Sequence, residues 1–362
     1  MNLREQNILF LTRTMGLGGT ENVVLQLCEI FRPVANKIVV CSCGGVNVEA
    51  LSQMGIKHYQ IPDMTEKNPR VVRQIYGQIR RIIKTENITV VHSHHRMAAL
   101  YAELAAPKNM CKIANAHNTF QNKKRLTQLA YRNTKLIAVG EMVKRNLVEY
   151  FRIPSQQVSV IHNAVKPFDG NIQPVAILEQ ERKAGHILIG NVGRLTAQKG
   201  MRYFIDAAAI VSETHPQARF FIVGDGEEKD NLQKLVQSKK LEKKVFFLGY
   251  RSDIQNVMSQ LDLIVLSSLW EGLPLTPIEA YSVGKTVIGT AVDGTPEIIR
   301  DGVDGYLVER CNSVQLSDKM DYLLKHPQIR EELERQAQKR YCDEFSFEKL
   351  KTAYIELYKE IG

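Results

Sequence analysis

The sequence predicts an α/β protein of two doubly wound domains that face each other across a cleft. Three observations lead to this prediction. The chain has 362 residues, which favours two domains over one. Short apolar runs of strand length alternate with helical patterns in both halves, as in parallel sheets covered by helices. The first strand of each half leads into a glycine-containing loop. We place the first domain at residues 1–168, a linker at 169–185 and the second domain at 186–344, followed by a final helical segment at 345–362.

The first domain opens with a predicted strand at Asn7–Leu11 and a loop that carries glycines at positions 16, 18 and 19. Glycines let a backbone approach a phosphate at a helix N-terminus, although this spacing is not the dinucleotide fingerprint. Further strands are predicted at residues 37–43, 57–61, 89–92, 112–116, 136–139 and 158–161. Ligands of such sheets bind beyond the carboxyl ends of the strands. The polar residues found there, among them Gly18, Gly19 and His117, are therefore site candidates.

The second domain begins with a predicted strand at Ile187–Val192 and a loop that starts at Gly193 and contains Arg194 and Lys199. Glycine permits a sharp exit from the strand. The arginine and the lysine can then grip a diphosphate, arginine with its planar fork and lysine as a point charge. Two further predicted strands, at residues 219–223 and 245–248, end close to Gly224 and Tyr250.

A segment from Ser267 to Glu297 follows the next predicted strand and holds two carboxylates, Glu271 and Glu279. The proline-containing run between them predicts a loop that turns into a helix, because proline suits the first helical turn. The start of that helix would present free N–H groups and the positive end of its dipole beside both carboxylates. The residues at this start are Gly272, Leu273, Pro274, Leu275 and Thr276. Carboxylates for hydroxyls and amides for anionic oxygens together suit a phosphorylated sugar.

These motifs, in this order and over nearly the whole chain, resemble those of retaining glycosyltransferases of the GT-B fold, glycosyltransferase family four. The resemblance implies two Rossmann-like domains and a last helix, near residues 347–358, that returns to the first domain. It also implies transfer with retention of the anomeric configuration. A donor phosphate oxygen would take the acceptor proton, with no covalent nucleophile, no cofactor and no metal.

The resemblance also assigns roles to residues. Arg194 and Lys199 hold the donor diphosphate, Glu271 binds the hydroxyls of the donor sugar, and Glu279 binds the ribose. His117 contacts the sugar near the reaction centre, so His117, Arg194, Lys199 and Glu271 form the catalytic set. The other residues expected at the donor are Gly18, Gly19, Gly193, Gly224, Tyr250, Gly272, Leu273, Pro274, Leu275 and Thr276. Two positions depart from the family pattern, where glycine is usual: Ala164 after Asn163, and Asp293. The choice of donor sugar therefore cannot be carried over.

The net charge of +9 lies in the first half: residues 1–170 carry +12 and residues 171–362 carry −3. This asymmetry predicts an anionic partner for the first domain. The basic positions considered for an acceptor phosphate or an anionic membrane are Arg73, Arg80, Lys123, Lys124 and Arg125. The helix near residues 68–86 could lie on a membrane by its apolar stripe or pack that stripe on its own sheet. No motif or interleaved aromatic pattern indicates nucleic acid.

Other features restrict the class of protein. No apolar run reaches the length of a membrane span, and the N-terminal apolar patch is too short for a signal peptide. Six scattered cysteines are typical of reduced, mostly core thiols in a cytoplasmic protein, which we expect to lie peripherally on the inner membrane face. A metal at His92, His94 and His95 is a weaker alternative, because no carboxylate or cysteine accompanies them nearby.

The sequence thus predicts a metal-independent glycosyltransferase that moves a sugar from a nucleotide sugar, favouring a UDP-sugar, to a lipid-linked or polysaccharide acceptor in surface glycan synthesis. Alternatives are a UDP-sugar epimerase of the same fold and a GDP-mannose-dependent mannosyltransferase. A phosphorylase would need a cofactor-holding lysine that the sequence does not show. A non-catalytic nucleotide-binding module would have no need of Arg194, Lys199, Glu271 and Glu279 together.

Overall fold

The computed structural model describes residues 2–361. Its contacts divide the chain into two compact units. The first runs to Asn163 and resumes at Leu350, and the second is Ala164–Lys349. The strands of the described residues form one parallel sheet in each unit, and helices lie between consecutive strands. This α/β architecture, with two Rossmann-like domains, is the fold class that the sequence predicted.

In the first unit the sheet has seven strands among the described residues, in the order β3-β2-β1-β4-β5-β6-β7. The strands are β1 Asn7–Leu11, β2 Lys37–Ser42, β3 Lys57–Gln60, β4 Val90–Ser93, β5 Cys111–Ala116, β6 Lys135–Ala138 and β7 Val158–Val160. The helices are α1 Gly19–Phe31, α2 Val48–Gln53, α3 Pro69–Thr85, α4 Arg96–Ala105, α5 Lys124–Ala130 and α6 Glu141–Arg145. The chain order reverses between β1 and β4, which creates a crevice at the carboxyl ends of these two strands.

The apolar stripe of helix α3 packs on the sheet of its own unit and does not face outwards. Ile75, Ile79, Ile82 and Ile83 are buried in one core cluster with strand residues such as Leu9 and Val91. The basic side chains of α3 remain on the exposed face, as at Arg73 and Arg80. The sequence left two uses of the stripe open, and the structure selects packing on the sheet.

The second unit has six strands among the described residues, in the order β10-β9-β8-β11-β12-β13. These strands are β8 Ile187–Val192, β9 Ala218–Val223, β10 Val245–Gly249, β11 Leu263–Leu266, β12 Val287–Thr290 and β13 Gly305–Val308. The helices are α7 Ala176–Lys183, α8 Met201–Thr214, α9 Lys229–Ser238, α10 Ile254–Ser259, α11 Leu275–Ser282, α12 Thr295–Ile298, α13 Ser313–Lys325 and α14 Pro327–Arg340, and α15 Phe347–Glu360 follows. The order again reverses, here between β8 and β11.

Two local expectations need correction. The segment 169–185, expected to be a linker with little regular structure, contains helix α7, because Leu178 is buried and gives the helix an apolar anchor. The cysteines are free thiols, but only Cys28 and Cys41 are buried in the core, whereas Cys311 and Cys342 are exposed. Neither of the exposed cysteines lies in a strand.

Candidate active site

The loop after β8 and the loop after β11 meet at the point where the strand order reverses. Gly200 has a φ of 56°, and a Cβ on it would lie 2.2 Å from the carbonyl oxygen of Ser267. The Ser267 hydroxyl donates to the Lys199 carbonyl at 3.0 Å and accepts from the Asn191 amide at 2.9 Å. These contacts fix the ends of β8 and β11 side by side, so that Lys199 and Glu271 emerge into the same space.

Lys199 and Glu271 form an ion pair at this point. The Lys199 Nζ lies 2.5 Å from the Glu271 Oε1, and the two side chains are only 15% and 7% exposed. The Ser268 hydroxyl also donates to that oxygen, at 2.6 Å. Carbons of the Lys199 side chain would lie 3.3 Å from a Cβ at position 193, so Gly193 leaves room for the lysine to cross the loop. The sequence did not anticipate that two residues assigned to the same donor would bind each other.

Arg194 follows Gly193 and is exposed. Among the described residues, its guanidinium has no ion pair or hydrogen bond. An exposed, unpaired guanidinium with five donors is free to bind an incoming anion. Lys199, by contrast, is already paired with Glu271.

Glu279 lies on the first turn and a half of α11 and is half-buried. Burial raises the pKa of its carboxyl to about 7, against a smaller opposing effect of the Lys199 charge. Within residues 2–361 this carboxylate has no hydrogen bond and no salt bridge. A partly desolvated carboxylate without a partner is costly for a protein to keep, which marks Glu279 as a functional candidate.

Helix α11 begins where the proline run predicted, with Pro274 as its N-cap and Leu275 as its first residue. No side chain caps this end, so the N–H groups of its first turn stay available. Leu273 and Thr276 are buried, whereas Gly272 and Leu275 are partly exposed. Gly272 also accepts a hydrogen bond from the Gly294 N–H at 3.0 Å, which ties the Glu271 loop to the loop after β12.

Asp293 completes that tie. Its carboxylate Oδ2 accepts the backbone N–H of Glu271 at 2.7 Å. Asp293 has a φ of 42°, a left-handed conformation that glycine adopts readily and aspartate tolerates better than most residues. The position therefore keeps the backbone that the family's usual glycine provides and adds a carboxylate next to Glu271.

Gly224 and Tyr250 end the neighbouring strands β9 and β10. Gly224 has a φ of 141°, and a Cβ there would lie 2.0 Å from the carbonyl oxygen of Gly193, so only glycine allows this close approach. Tyr250 is 59% exposed directly after β10. An exposed aromatic ring at this strand end is available for stacking.

In the first unit, the crevice between β1 and β4 holds a cavity of about 180 Å³ lined by His94, Arg96 and His117, among others. The glycine loop borders it. Gly18 precedes α1 and Gly19 is its first residue, while the Thr14 hydroxyl donates to the Glu21 carboxylate. A Cβ at position 18 would lie 2.5 Å from the other carboxylate oxygen, so this glycine makes room for Glu21.

The histidines of this crevice form a buried stack. His92 donates from Nε2 to the Asn115 amide oxygen and accepts the Tyr358 hydroxyl at Nδ1, each at 2.8 Å. His94 stacks between the other two rings, 4.7 Å from His92 and 5.5 Å from His117. The His94 Nδ1 lies 3.3 Å from the His117 Nε2. Burial lowers the pKa of His92 to about 4 and that of His117 to about 3, so all these contacts are those of neutral rings.

His95 instead caps α4, since its Nδ1 accepts the Met97 N–H at 3.2 Å. Among residues 2–361, no three His, Cys, Asp or Glu side chains are grouped so that they could hold a metal ion. The three histidines that suggested a metal thus have other partners. The hydrogen-bonding partners of His92 come from β5 and α15, and sequence spacing gave no signal for this pairing.

The basic candidates lie on the surface of the first unit. Lys123, Lys124 and Arg125 are exposed at the start of α5, and Lys124 lies 5.4 Å from the centre of the Tyr150 ring. Arg80 donates to the Tyr76 hydroxyl at 3.2 Å. In the part of the chain that the structure describes, no helix combines the length and apolar character needed to cross a bilayer.

Comparison with known proteins identifies the family. Residues 176–340 match the family model of "Glycosyl transferases group 1", and residues 17–167 match that of "Glycosyltransferase Family 4". The chain belongs to the group 1 glycosyltransferases. The segment 17–167 contains the glycine loop at 18–19, and the segment 176–340 contains the carboxylates at 271 and 279.

Relatives of this glycosyltransferase extend over most of the chain. The UDP-Gal:alpha-D-GlcNAc-diphosphoundecaprenol alpha-1,3-galactosyltransferase of Escherichia coli is 28% identical over 316 residues, 81% of each chain. A glycosyltransferase structure from Rickettsia africae is 24% identical, with a TM-score of 0.87 over 98% of each chain. HepE of Anabaena in complex with UDP is 22% identical, with a TM-score of 0.86 over 98% of this chain and 100% of the other. These likenesses place the chain in the GT-B fold.

Proposed function

We propose that this glycosyltransferase moves a sugar from a UDP-sugar to a lipid-linked or polysaccharide acceptor, with retention of configuration and without a metal. The observation that carries the proposal is the grouping of Lys199, Glu271 and an unpartnered Glu279 at one strand reversal. UDP is favoured because the E. coli relative is named for UDP-Gal and the Anabaena structure contains UDP. The acceptor class rests on the diphosphoundecaprenol-linked sugar in the name of the E. coli relative and on the basic first unit.

The donor diphosphate would bind to Arg194 and Lys199. These cations neutralise the charge that grows on the leaving diphosphate, and such electrostatic stabilisation is commonly the largest catalytic contribution. Two cations can do this work without Mg²⁺. Because Glu271 already holds Lys199 at 2.5 Å, the ammonium is oriented before the donor arrives.

The donor sugar would bind to the second oxygen of Glu271. Its Oε1 is engaged by Lys199 and Ser268, whereas Oε2 has no hydrogen bond among the described residues. A carboxylate oxygen readily accepts a hydrogen bond from a hydroxyl group. Asp293 fixes the backbone N–H of the same residue, so the loop is held in place on both sides of the carboxylate.

The ribose would bind to Glu279, whose two oxygens can each accept one hydroxyl. Two such hydrogen bonds to the ionised form would offset the burial that raises the pKa of Glu279 to about 7. His117, neutral because of its low pKa, would donate or accept a hydrogen bond at the sugar rather than serve as an acid. A donor phosphate oxygen then receives the acceptor proton.

Binding of the anionic part of the acceptor is assigned to the first unit. The exposed cations of α3 and of the start of α5 would attract an anionic lipid or the inner face of a membrane, placing the enzyme peripherally in the cytoplasm. Because the apolar stripe of α3 is buried, this attraction depends on charge alone and should weaken with salt.

The test is donor turnover. The purified protein is incubated with UDP-glucose, UDP-galactose, UDP-N-acetylglucosamine and, separately, GDP-mannose, and nucleotide release is measured with and without EDTA. The proposal is supported if the wild-type protein releases UDP and the Lys199→Ala variant does not. Release of GDP from GDP-mannose alone would instead support the mannosyltransferase alternative, and epimerised UDP-sugar without transfer would support the epimerase.

A further inference from the structure

A second cavity lies at the carboxyl ends of β11, β12 and β13 in the second unit. It is open to solvent, has a volume of about 530 Å³ and is lined by Leu269, Trp270, Ala291, Val292, Asp293, Glu309 and Arg310. None of the ribose and diphosphate residues lines it, so it is a different space from the one that Lys199 and Glu279 border. A volume of this size is in the range of small-molecule pockets.

Trp270 is the aromatic wall of this cavity. It is the only tryptophan of the sequence, and it is 52% exposed although it lies next to the nearly buried Glu271. Its backbone is held on both sides: the Gln198 side chain donates to the Trp270 carbonyl at 3.0 Å, and the Leu269 N–H donates to the Gln198 carbonyl at 2.7 Å. The backbone of Trp270 is therefore held in place, and its ring is accessible to solvent.

The polar walls have spare hydrogen-bonding capacity. Asp293 uses Oδ2 for the Glu271 N–H, and its Oδ1 has no hydrogen bond among the described residues. Arg310 is exposed and has neither an ion pair nor a hydrogen bond within residues 2–361. Glu309 is exposed, and its carboxylate accepts one long hydrogen bond, from the Asn312 side-chain amide at 3.4 Å. Acceptors and a donor thus surround one aromatic face.

We propose that this cavity, which we call the Trp270 pocket, binds a neutral pyranose unit. A pyranose has an apolar face of C–H groups that packs on an aromatic ring, and each of its hydroxyls both donates and accepts. The carboxylates of Asp293 and Glu309 suit the donated protons, and the Arg310 guanidinium suits the hydroxyl oxygens. The wall carries two carboxylates and one guanidinium, a net charge of −1, which disfavours an anion. Its mixture of acceptors and a donor beside an aromatic ring suits the hydroxyls and the C–H face of a neutral polyol.

The role of the bound pyranose follows from its position beside Glu271. Asp293 contacts both the Trp270 pocket and the Glu271 backbone, so a saccharide in the pocket lies beside the residue expected to hold the donor sugar. We assign it to a sugar residue of the acceptor glycan. That role depends on the proposed function, whereas saccharide binding itself does not.

Intrinsic fluorescence tests the pocket directly, because all tryptophan emission comes from Trp270. The probes are methyl glycosides of glucose, galactose and N-acetylglucosamine and their disaccharides, titrated into the full-length protein without donor. We expect a saturable change of emission with a dissociation constant of about 1–10 mM. Arg310→Ala should weaken binding about fivefold or more, while Arg335→Ala, an exposed arginine on α14, should leave it unchanged.

Two further measurements distinguish saccharide binding in the Trp270 pocket from the proposed glycosyl transfer. Lys199→Ala should lose transfer but keep the saccharide titration, so the failure of one claim is distinct from the failure of the other. Saturating UDP should not abolish the titration. Trp270→Phe, followed by calorimetry, keeps the ring and should keep most of the affinity, whereas Trp270→Ala should lose it. No saturable response to any saccharide, a response only to the polyamine spermidine, or displacement by UDP would each overturn the proposal.

Discussion

Glu279→Gln should stabilise the protein above pH 7 while weakening nucleotide binding. Burial raises the pKa of this carboxyl from 4.5 to about 7, which corresponds to about 3 kcal/mol of unfavourable free energy for the ionised group. The side chain is only half-buried, and solvent reduces this to about 1–2 kcal/mol. Glutamine keeps the shape and removes the charge. For a unit of this size we expect Tm to rise by about 2–8 °C.

The sign of the pH dependence follows from linkage. Between pH 4.5 and pH 7 the folded state holds a proton that the unfolded state has lost, so the stability of the wild type falls as pH rises through this range. The advantage of Glu279→Gln should therefore be small near pH 4.5, grow as pH increases and level off above pH 7. Differential scanning fluorimetry of both proteins at closely spaced pH values measures it, and UDP affinity is measured by calorimetry at pH 8.

Glu271→Gln is the matched control, because it makes the same chemical change eight residues away. Glu271 is paired with Lys199 at 2.5 Å, so this variant leaves a nearly buried ammonium without its carboxylate and should lose stability. Opposite signs for the two variants are the expected result. A loss of Tm in Glu279→Gln at pH 8, or an unchanged affinity for UDP, would refute the reasoning about Glu279.

Three further predictions concern the rest of the molecule. Lys199→Ala should lower the turnover number by about 10²–10³ with a normal circular dichroism spectrum, and near-normal turnover would contradict its role at the diphosphate. Burial lowers the pKa of His92 to about 4, so the folded protein loses stability as pH falls from 6.5 towards 4, by about 2 kcal/mol at pH 5. The His92→Gln variant should have a lower Tm than the wild type at pH 7, but its Tm should depend less on pH. An equally steep dependence of Tm on pH in both proteins would contradict this. Sedimentation with anionic liposomes should occur at low salt and fall when Arg73 and Arg80 are both changed to Glu, and binding that resists high salt would exclude attraction by charge alone.

Much of the fold could be predicted because its signals are local. A buried parallel strand such as Leu263–Leu266 has an uninterrupted apolar run, and its end is marked by polar residues and a Gly-Leu-Pro turn. The proline-containing run placed the start of α11 within residues 272–276, and the helix begins at Leu275. Helix α7 was missed because one buried leucine anchors it, and a single apolar residue has no period to detect.

The site was only partly predictable, because its side-chain contacts join distant parts of the chain. Spacing indicated Lys199 and Glu271 separately, but their ion pair depends on two strands that meet only through the reversal of strand order. The bond between His92 and Tyr358 spans 266 positions and needs α15 to pack on the first sheet. No local pattern contains such information.

Asp293 shows how a departure from a family pattern can keep the geometry that the pattern serves. In the sequence, an aspartate in place of glycine left the choice of donor sugar open. Its left-handed conformation, with φ at 42°, costs about 1 kcal/mol for a residue with a side chain. The hydrogen bond from the Glu271 N–H to its ionised carboxylate at 2.7 Å contributes a similar amount or more. The two contributions offset each other, so the loop keeps its conformation and a carboxylate becomes available to the Trp270 pocket. Replacing Asp293 with glycine should therefore leave the backbone intact and remove only the chemistry that the aspartate adds.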